Sequence, residues 1–214
     1  MRKMKLIIIL VILFAITGCA KIEKEDKDYN QLVVNCLSKK NVTNNVALGY
    51  KFYVPKGAKL IKNYDDNQKF LIDKDYMYLY VDIVSYYYKN EIKYEGENNS
   101  YYYNKISYNG KKGYIKITKE EDKYFVKIVY NYSKIEAYTT EDNLNKIISI
   151  GTIILDNIEY KRKIIKKAIN ESLGSFSEVK YEIKKPEDAS NMYSQYLEEY
   201  VQEEKNTSEK LPDE

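Results

Sequence analysis

The sequence contains no histidine. It therefore has no imidazole for the Ser-His and Cys-His pairs of nucleophilic hydrolases, for histidine-ligated zinc, or for the usual general base at neutral pH. Most hydrolase mechanisms are excluded on this ground. Catalysis by a pair of carboxylates stays open, because aspartate and glutamate are plentiful.

Glycine motifs and metal loops are missing as well. The eight glycines are scattered, without the G-x-G-x-x-G or P-loop spacing that cradles a phosphate. Asp73 and Asp75 begin like a calcium-binding EF-hand loop, but Tyr78 stands at the glycine position and Val84 at the twelfth. The sequence therefore predicts no metal site, no cofactor and no catalytic residue.

The acidic residues that come nearest to a catalytic pair stand at predicted turns. They are Asp65-Asp66 and Asp73-Lys74-Asp75, each between two apolar runs. Aspartate is a common turn residue because its side chain bonds to nearby backbone. Solvated turn roles are expected for both groups.

The chain begins with a segment that is typical of an export signal. Arg2, Lys3 and Lys5 precede an apolar core at residues 6–17. Twelve helical residues are too short for the roughly 30 Å of a bilayer core, which disfavours the alternative of an uncleaved signal anchor with a chance cysteine.

The residues at the end of this core and directly after it, Ile16-Thr17-Gly18-Cys19, resemble the lipobox of bacterial lipoproteins. The resemblance implies that the signal is cut between Gly18 and Cys19 and that Cys19 carries lipid, with acyl chains such as palmitate. It also implies that the protein is held at the extracytoplasmic face of the cell membrane, with the membrane as a partner through the lipid on Cys19.

The charge of the chain gives no argument for a nucleic-acid partner. The formal net charge is +3, from 35 Lys+Arg and 32 Asp+Glu, and the signal carries three of the basic residues. The mature chain is therefore neutral, whereas a nucleic-acid-binding domain is usually basic.

The sequence predicts one α+β domain. Residues 1–18 form the signal, 19–28 the lipidated N-terminus and a charged tether, 29–204 the domain, and 205–214 a disordered acidic tail. No Pro/Gly/Ser-rich linker interrupts the domain. We expect an antiparallel sheet, a meander with hairpins, covered by amphipathic helices.

The first helix is predicted in "DKDYNQLVVNCLSKK". Tyr29, Leu32, Val33, Cys36 and Leu37 recur at i, i+3, i+4, i+7 and i+8, the spacing of one helix face. Cys36 is therefore expected to be a buried, inert thiol.

The strands are predicted from their turns. "GYKFYVP", "KLIKNY" and "KFLID" are expected as strands, with Asp65-Asp66-Asn67 as a turn. Around Asn109-Gly110, a two-residue hairpin pairs Tyr108 with Lys111, Asn104 with Ile115 and Tyr102 with Ile117. A loop at residues 120–123 would pair Lys119 with Tyr124, Ile117 with Val126 and Ile115 with Ile128. Both turns place Ile115 and Ile117 on the same apolar face, so a three-stranded meander is predicted.

Further elements are predicted after the meander. Thr140 is expected to cap a short helix carrying Leu144, Ile147 and Ile148, followed by "SIGTIIL" as a strand. A basic amphipathic helix is predicted over residues 157–172, with Ile158, Ile165, Ala168 and Ile169 on one face and its end near Gly174. A strand "EVKYEIK" and a helix starting at Pro186, with an apolar stripe from Ala189 to Val201, complete the domain.

The "GYKFYVPKGAKL" opening, the hairpin, the antiparallel strands and the late "NLNKIISI" helix together resemble the Mog1/PsbP-like fold. They are also similar to uncharacterised small lipoproteins of low-GC Gram-positive bacteria. The resemblance covers roughly residues 45–155. Two positions that often hold tryptophan in that fold lack it here, and the C-terminal helix pair lies outside it. It implies an accessory or assembly role without agreed catalytic residues, so no site is transferred.

Tyrosine makes up six of the thirteen residues at positions 76–88. Strand alternation places Met77, Leu79, Val81 and Ile83 on one face. It places Tyr76, Tyr78 and Tyr80 on the other, followed by Asp82, Val84, Tyr86 and Tyr88. The meander carries a second Tyr/Lys surface opposite Ile115 and Ile117: Tyr103, Lys105, Tyr114, Lys116 and Lys127.

Two interpretations of these tyrosines stay open. In one, the two C-terminal helices cover Tyr76, Tyr78 and Tyr80 and the composition needs no functional reason. In the other, the tyrosines form a ligand-binding face, and the protein is a lipid-anchored, non-enzymatic accessory or binding protein contacting an envelope protein or cell-wall polymer. The alternative function is a carboxylate-dependent enzyme acting on the cell wall, with two acids about 5 to 9.5 Å apart.

Overall fold

The computed structural model describes residues 28–64 and 66–171. In chain order the elements are α1 (Tyr29–Leu37), β1 (Asn45–Ala47), β2 (Tyr50–Phe52), β3 (Lys59–Tyr64), β4 (Asn67–Ile72), β5 (Asp75–Val81), α2 (Ile83–Tyr88), β6 (Tyr102–Tyr108), β7 (Lys111–Glu120), β8 (Lys123–Tyr130), β9 (Ser133–Thr139), α3 (Glu141–Asp156), β10 (Glu159–Tyr160) and α4 (Arg162–Asn170). The predicted α+β class is confirmed.

Several predictions lie outside the described residues. They are the signal with the Gly18-Cys19 cleavage site, the tether, the helix end near Gly174, the strand "EVKYEIK", the helix from Pro186 with its stripe, and the acidic tail.

A seven-stranded antiparallel sheet forms the centre of the described fold, in the order β3-β4-β5-β9-β8-β7-β6. The chain builds β3 to β5 by successive hairpins and then crosses to the far edge through α2. From there β6 to β9 return as a meander until β9 pairs with β5, for example Met77 with Ala137. This pairing closes the sheet between two strands that are far apart in the chain.

The predicted meander is confirmed with its register. Tyr108 pairs with Lys111, Asn104 with Ile115 and Tyr102 with Ile117. Ile117 pairs with Val126, Ile115 with Ile128 and Lys119 with Tyr124. Asn109 and Gly110 both have positive φ, as the type I′ turn requires, so a local turn signal fixes the pairing.

The inner face of the sheet packs against α3 and is apolar. Ile117, Val126, Ile128, Ile135 and Ala137 are buried there. Gly151 faces this layer, and a Cβ at that position would lie 3.2 Å from Cδ1 of Ile135. The missing side chain thus lets the helix approach the strands closely.

The prediction of a strand at residues 149–155 is wrong, because α3 continues as one helix of 16 residues. Six of its nine buried residues form one stripe with helical spacing to the end: Leu144, Ile147, Ile148, Gly151, Ile154 and Leu155. The β-branched run favours a strand locally, but burying one continuous stripe on the sheet outweighs that weak preference. Thr140 does occupy the N-cap position, although its side chain makes no capping hydrogen bond.

Helix α1 is confirmed with its predicted face. Tyr29, Val33, Cys36 and Leu37 are buried, and the helix packs against α3 and β6. Asp28 caps its start, accepting a hydrogen bond from the backbone N of Gln31 at 2.9 Å. Cys36 is a buried free thiol, as expected.

A small second sheet joins β1, β2 and β10. The hydroxyl of Tyr50 in β2 donates to Oε1 of buried Gln68 in β4 at 2.8 Å, which links the two sheets.

The predicted helix start at residue 157 is wrong, because Glu159 and Tyr160 pair with β2 and α4 begins only at Arg162. A Cβ at Gly49 would lie only 2.6 Å from Cγ1 of Ile165 in α4, so Ile165 fills the space beside this glycine.

The predicted alternation of residues 76–88 holds only as far as Val81. Asp82 then caps α2, its Oδ1 accepting from the backbone N of Ser85 at 2.7 Å, so that Ile83, Val84, Tyr86 and Tyr88 lie on a helix. Aspartate is a preferred N-cap residue, and this signal ends the strand.

Candidate functional site

The outer face of the seven-stranded sheet carries both predicted tyrosine surfaces. The register aligns Tyr78 with Glu136, Glu136 with Lys127, Lys127 with Lys116, and Lys116 with Tyr103. At about 4.8 Å between strands, this row spans roughly 19 Å. The β5 tyrosines and the meander surface are therefore one continuous face, which we call the outer face.

Tyr76, Tyr78 and Tyr80 project from β5 on this face and are partly exposed. Between them Met77 and Leu79 point inward and are fully buried. The ammonium of Lys69 lies 3.9 Å from the ring centroid of Tyr76 and 6.0 Å from that of Tyr78. A cation over a ring face is attracted by its quadrupole, so these side chains form an ordered Tyr/Lys surface.

An ion cluster occupies the middle of the outer face. The Nζ of Lys127 lies 2.8 Å from Oε1 of Glu95 and 2.9 Å from Oε1 of Glu136, and Lys134 contacts Glu136 at 3.2 Å. Burial on its own lowers the pKa of Lys127, but hydrogen bonds to Glu95 and Glu136 outweigh it and raise that pKa above its ordinary value. The charged state of this lysine is therefore part of the structure.

Residues 89–101, which connect α2 to β6, cross part of the outer face, and we call them the crossover loop. Glu95 from this loop reaches Lys127, and Gly96 accepts from Nζ of Lys116 at 3.2 Å. The ring of Tyr94 lies 6.0 Å from that of Tyr114, which is buried. Burial, followed by the charge of Glu95, raises the pKa of Tyr114. The loop therefore covers the β7 part of the outer face.

Two adjoining clefts open beside the crossover loop. One, of about 640 Å³, lies between the start of the loop and the outer face and is lined by Tyr80, Val129 and Lys134 among others. The second, of about 480 Å³, reaches the hairpin turns at Gly110 and Asn131. Tyr132 and residues 90–92 line both. Tyr80 thus joins the tyrosine row to a concave site.

Asp75 corrects the expectation of a solvated turn role. It lies in β5, is fully buried, and accepts hydrogen bonds at Oδ2 from Thr139 Oγ1 at 2.6 Å and Asn143 Nδ2 at 2.7 Å. Its Oδ1 has no hydrogen-bond partner in the described part of the chain. The signal for this placement was the strand parity, because Asp75 alternates in step with the buried Met77 and Leu79.

The neighbouring aspartates do stand at turns. Asp73 has a positive φ of 52° and pairs with Lys146 of α3. Asp66 precedes β4, but it is buried rather than solvated, and its backbone oxygen accepts from the N of Val81 at 2.9 Å. Glu95 was not singled out from the sequence, because its partner Lys127 is 32 residues away and no local pattern connects them.

Within residues 28–64 and 66–171, no group of three or more His, Cys, Asp or Glu side chains is placed to hold a metal ion. None of the helices in these ranges is long and apolar enough to cross a membrane.

No protein-family model matches the sequence, and no curated protein is significantly similar to it. The likeness to the Mog1/PsbP-like fold and the lipoprotein signal therefore stay predictions from the sequence.

Proposed function

We propose that this chain is a lipid-anchored, non-enzymatic binding or accessory protein of the cell envelope. Lipid on Cys19 holds it at the extracytoplasmic face of the cell membrane, and the tyrosine row of β5, Tyr76, Tyr78 and Tyr80, contacts its ligand. The partner is an envelope protein or a cell-wall polymer.

The observation that carries this proposal is the continuity of the outer face. The register joins the β5 tyrosines to the Tyr/Lys surface of the meander, and a cleft adjoins the row at Tyr80. Tyrosine rings have an apolar body and a polar hydroxyl, which suits contact with ligands of mixed polarity. They are enriched at binding interfaces for the same reason.

The alternative, a carboxylate-dependent enzyme acting on the cell wall, is less well supported. Such an enzyme needs two acids in one cleft with access to the substrate. Asp75 lies on the inner side of the sheet beneath α3, where Thr139 and Asn143 bind it. On the outer face, Glu95 and Glu136 are paired with Lys127. The larger cleft holds Asp82 and Glu91, but Asp82 is engaged in capping α2, where it accepts from the backbone N of Ser85. The binding role is therefore preferred.

The lipid anchor is tested by replacing Cys19 with serine in the full chain. Labelling with a fatty-acid probe is expected to be lost, and the uncut precursor is expected to accumulate, because the thiol is the acceptor of the lipid. Cys36→Ala is the matched control and should be labelled and processed as the wild type. Normal processing of the Cys19 variant would contradict the anchor.

The tyrosine row is tested by crosslinking in cells. The Tyr78→Ala/Tyr80→Ala variant is expected to lose the main envelope crosslinks of the anchored protein. Tyr64→Ala/Tyr88→Ala is the control, since these two side chains are exposed, at 55% and 60%, and lie outside the row. Circular dichroism must show that both variants fold. Unchanged crosslinks in the row variant would remove the tyrosine row from the proposal.

A further inference from the structure

The two adjoining clefts beside the crossover loop have an unusual backbone. Among the described residues, seven other than glycine have positive φ, and four of these are aspartate or asparagine, which tolerate it. The other three are Lys89, Glu121 and Tyr132, with φ of 58°, 57° and 63°. Lys89 and Tyr132 line the same cleft.

The left-handed conformation of Tyr132 is held in place by its surroundings. The preceding residue, Asn131, accepts at its backbone oxygen from the hydroxyl of Tyr160 at 2.6 Å. The ring of Tyr132 meets that of Tyr86 edge-on at 5.9 Å, and Tyr86 stacks on Tyr160 at 3.8 Å. A type I′ turn favours glycine where Tyr132 stands. Strain that the surrounding structure maintains is typical of ligand sites.

The clefts that Tyr132 lines also contain lysine side chains without a protein partner. Lys89, Lys93 and Lys112 line the two clefts, and within residues 28–64 and 66–171 none of their side chains has an ion-pair, hydrogen-bond or ring partner. Lys111 and Lys134 also line them but are paired with Asp156 and Glu136. Three ammonium groups are therefore available to an anion.

The clefts contain carboxylates too. Glu91 lines both and has no partner within the described ranges, and Asp82 lines the larger cleft while capping α2. A DNA strand carries phosphates but almost no free hydroxyl groups that could donate to these carboxylates. A ligand rich in hydroxyls suits them, because a hydroxyl can donate to a carboxylate and accept from an ammonium.

We propose that these adjoining clefts bind an acidic carbohydrate. Lys89, Lys93 and Lys112 pair with its anionic groups, Glu91 accepts from its hydroxyls, and the ring of Tyr132 packs against a sugar ring. The inference rests on the binding role proposed above and adds the chemical class of the ligand.

The test uses the purified full chain in detergent at about 150 mM salt, where surface charge is screened beyond about 8 Å. The probes are polygalacturonate as an acidic carbohydrate, dextran as a neutral one, and single-stranded polythymidylate as a nucleic acid. Binding to polygalacturonate, with weaker binding of the other two, is expected. Equal binding of dextran, tighter binding of polythymidylate, or no binding of polygalacturonate would overturn the proposal.

The lysines are tested by the triple variant Lys89→Gln/Lys93→Gln/Lys112→Gln. Its affinity for polygalacturonate is expected to fall about tenfold or more, since three charge contacts are lost. Lys39→Gln/Lys40→Gln/Lys163→Gln removes the same charge from exposed positions elsewhere and should leave binding unchanged. Equal losses in both variants would show a nonspecific charge effect and overturn the proposal.

The ring of Tyr132 is tested by Tyr132→Asn, because asparagine tolerates the left-handed conformation of the turn. Affinity is expected to fall about fivefold with the melting temperature nearly unchanged, as for the loss of one aromatic contact. Undiminished affinity would overturn the role of the ring.

The inference and the proposed function fail separately. If the lysine triple variant binds polygalacturonate as the wild type does, the inference about the clefts is wrong. That result says nothing about the crosslinking test of Tyr78 and Tyr80, so the proposed function can still hold. If instead the Tyr78→Ala/Tyr80→Ala variant keeps its crosslinks, the tyrosine row is not the ligand-binding face. The binding measurements on the lysine variant still test whether the clefts bind an acidic carbohydrate.

Discussion

The two faces of the seven-stranded sheet are made by the same strands but are stabilised in different ways. In β8, Val126 and Ile128 point inward and are completely buried against α3, whereas Lys127 between them points outward into an ion cluster. Burying a valine or isoleucine side chain contributes about 1.5 to 3 kcal/mol, while a partly exposed ion pair contributes up to about 1 kcal/mol. Stability is therefore concentrated on the inner face.

The outer face is consequently the part of the sheet that can be adapted to a ligand. Its contacts are rings, cations and carboxylates, which tolerate substitution because each contributes little to folding. The inner face has no such freedom, since its side chains interdigitate with those of α3 at close packing. Equivalent substitutions should therefore destabilise the fold more on the inner face than on the outer face.

The largest effect is expected from Gly113→Ala. Gly113 lies in β7 between β6 and β8, and a Cβ there would lie 1.9 Å from the backbone oxygen of Val129 and 2.8 Å from Cα of Tyr130. Backbone atoms of a paired strand cannot move without breaking the ladder, so we expect a loss of about 3 kcal/mol in the free energy of unfolding.

Urea unfolding measures this loss, and Gly96→Ala is the control. A Cβ at Gly96, in the crossover loop over the outer face, meets nothing within 4 Å. Its unfolding free energy should stay within about 0.5 kcal/mol of the wild type. Similar values for the two variants would contradict the assigned register of β7 and β8.

A smaller effect is expected from Val126→Ala, which can be compared with Val129→Ala in the same strand. Val126 is fully buried on the inner face, and Val129 is partly exposed on the outer face. Deleting the same two methyl groups should cost about 2 kcal/mol at Val126, because a cavity is left, and less than about 1 kcal/mol at Val129. Thermal and urea unfolding of both variants measures the two losses in the free energy of unfolding. Equal losses would show that the two faces do not differ as described.

The inner face could be predicted from the sequence wherever a turn signal fixed the register. Asn109-Gly110 and the loop after Lys119 independently placed Ile115 and Ile117 on one face, and both pairings are present. Extending the alternation back from Met77 would also have placed Asp75 inside. Local signals sufficed here because each hairpin pairs residues that are close in the chain.

Other parts of the fold have no local signal. The β-branched run at residues 149–155 has the composition of a strand, but it lies in a helix whose apolar residues are buried against the sheet. The pairing of β5 with β9 joins segments that are far apart in sequence, so no turn specifies it. The candidate site could be predicted only in part for the same reason. The alternation that places the β5 tyrosines on one face is visible in the local sequence, whereas the crossover loop contacts Lys127 through tertiary structure alone.

The smallest predicted effect is a pH dependence confined to the outer face. Burial on its own raises the pKa of Glu95, but hydrogen bonding to Lys127 and the charges of Lys127 and Lys116 lower it below its ordinary value of 4.5. A lowered pKa means that the fold favours the ionised carboxylate. Its contribution to stability is therefore present above pH 4.5 and is lost as the pH falls through the lower folded-state pKa. The Glu95 side chain is 44% exposed, so screening by solvent keeps the contribution small.

The measurement is the difference in unfolding free energy between the wild type and Glu95→Gln from pH 7 down to about 3. The wild type should be more stable at pH 7 by a few tenths of a kcal/mol, as for a partly exposed ion pair, and the difference should vanish at the acid end. Glu97→Gln, in the same loop, should show no such change, because within the described ranges only its backbone oxygen accepts hydrogen bonds. A Glu95 difference that persists or grows in acid would mean that the crossover loop is not held to the outer face by charge. The ion cluster would then be a consequence of the packing of Tyr94 on Tyr114 rather than a cause of it.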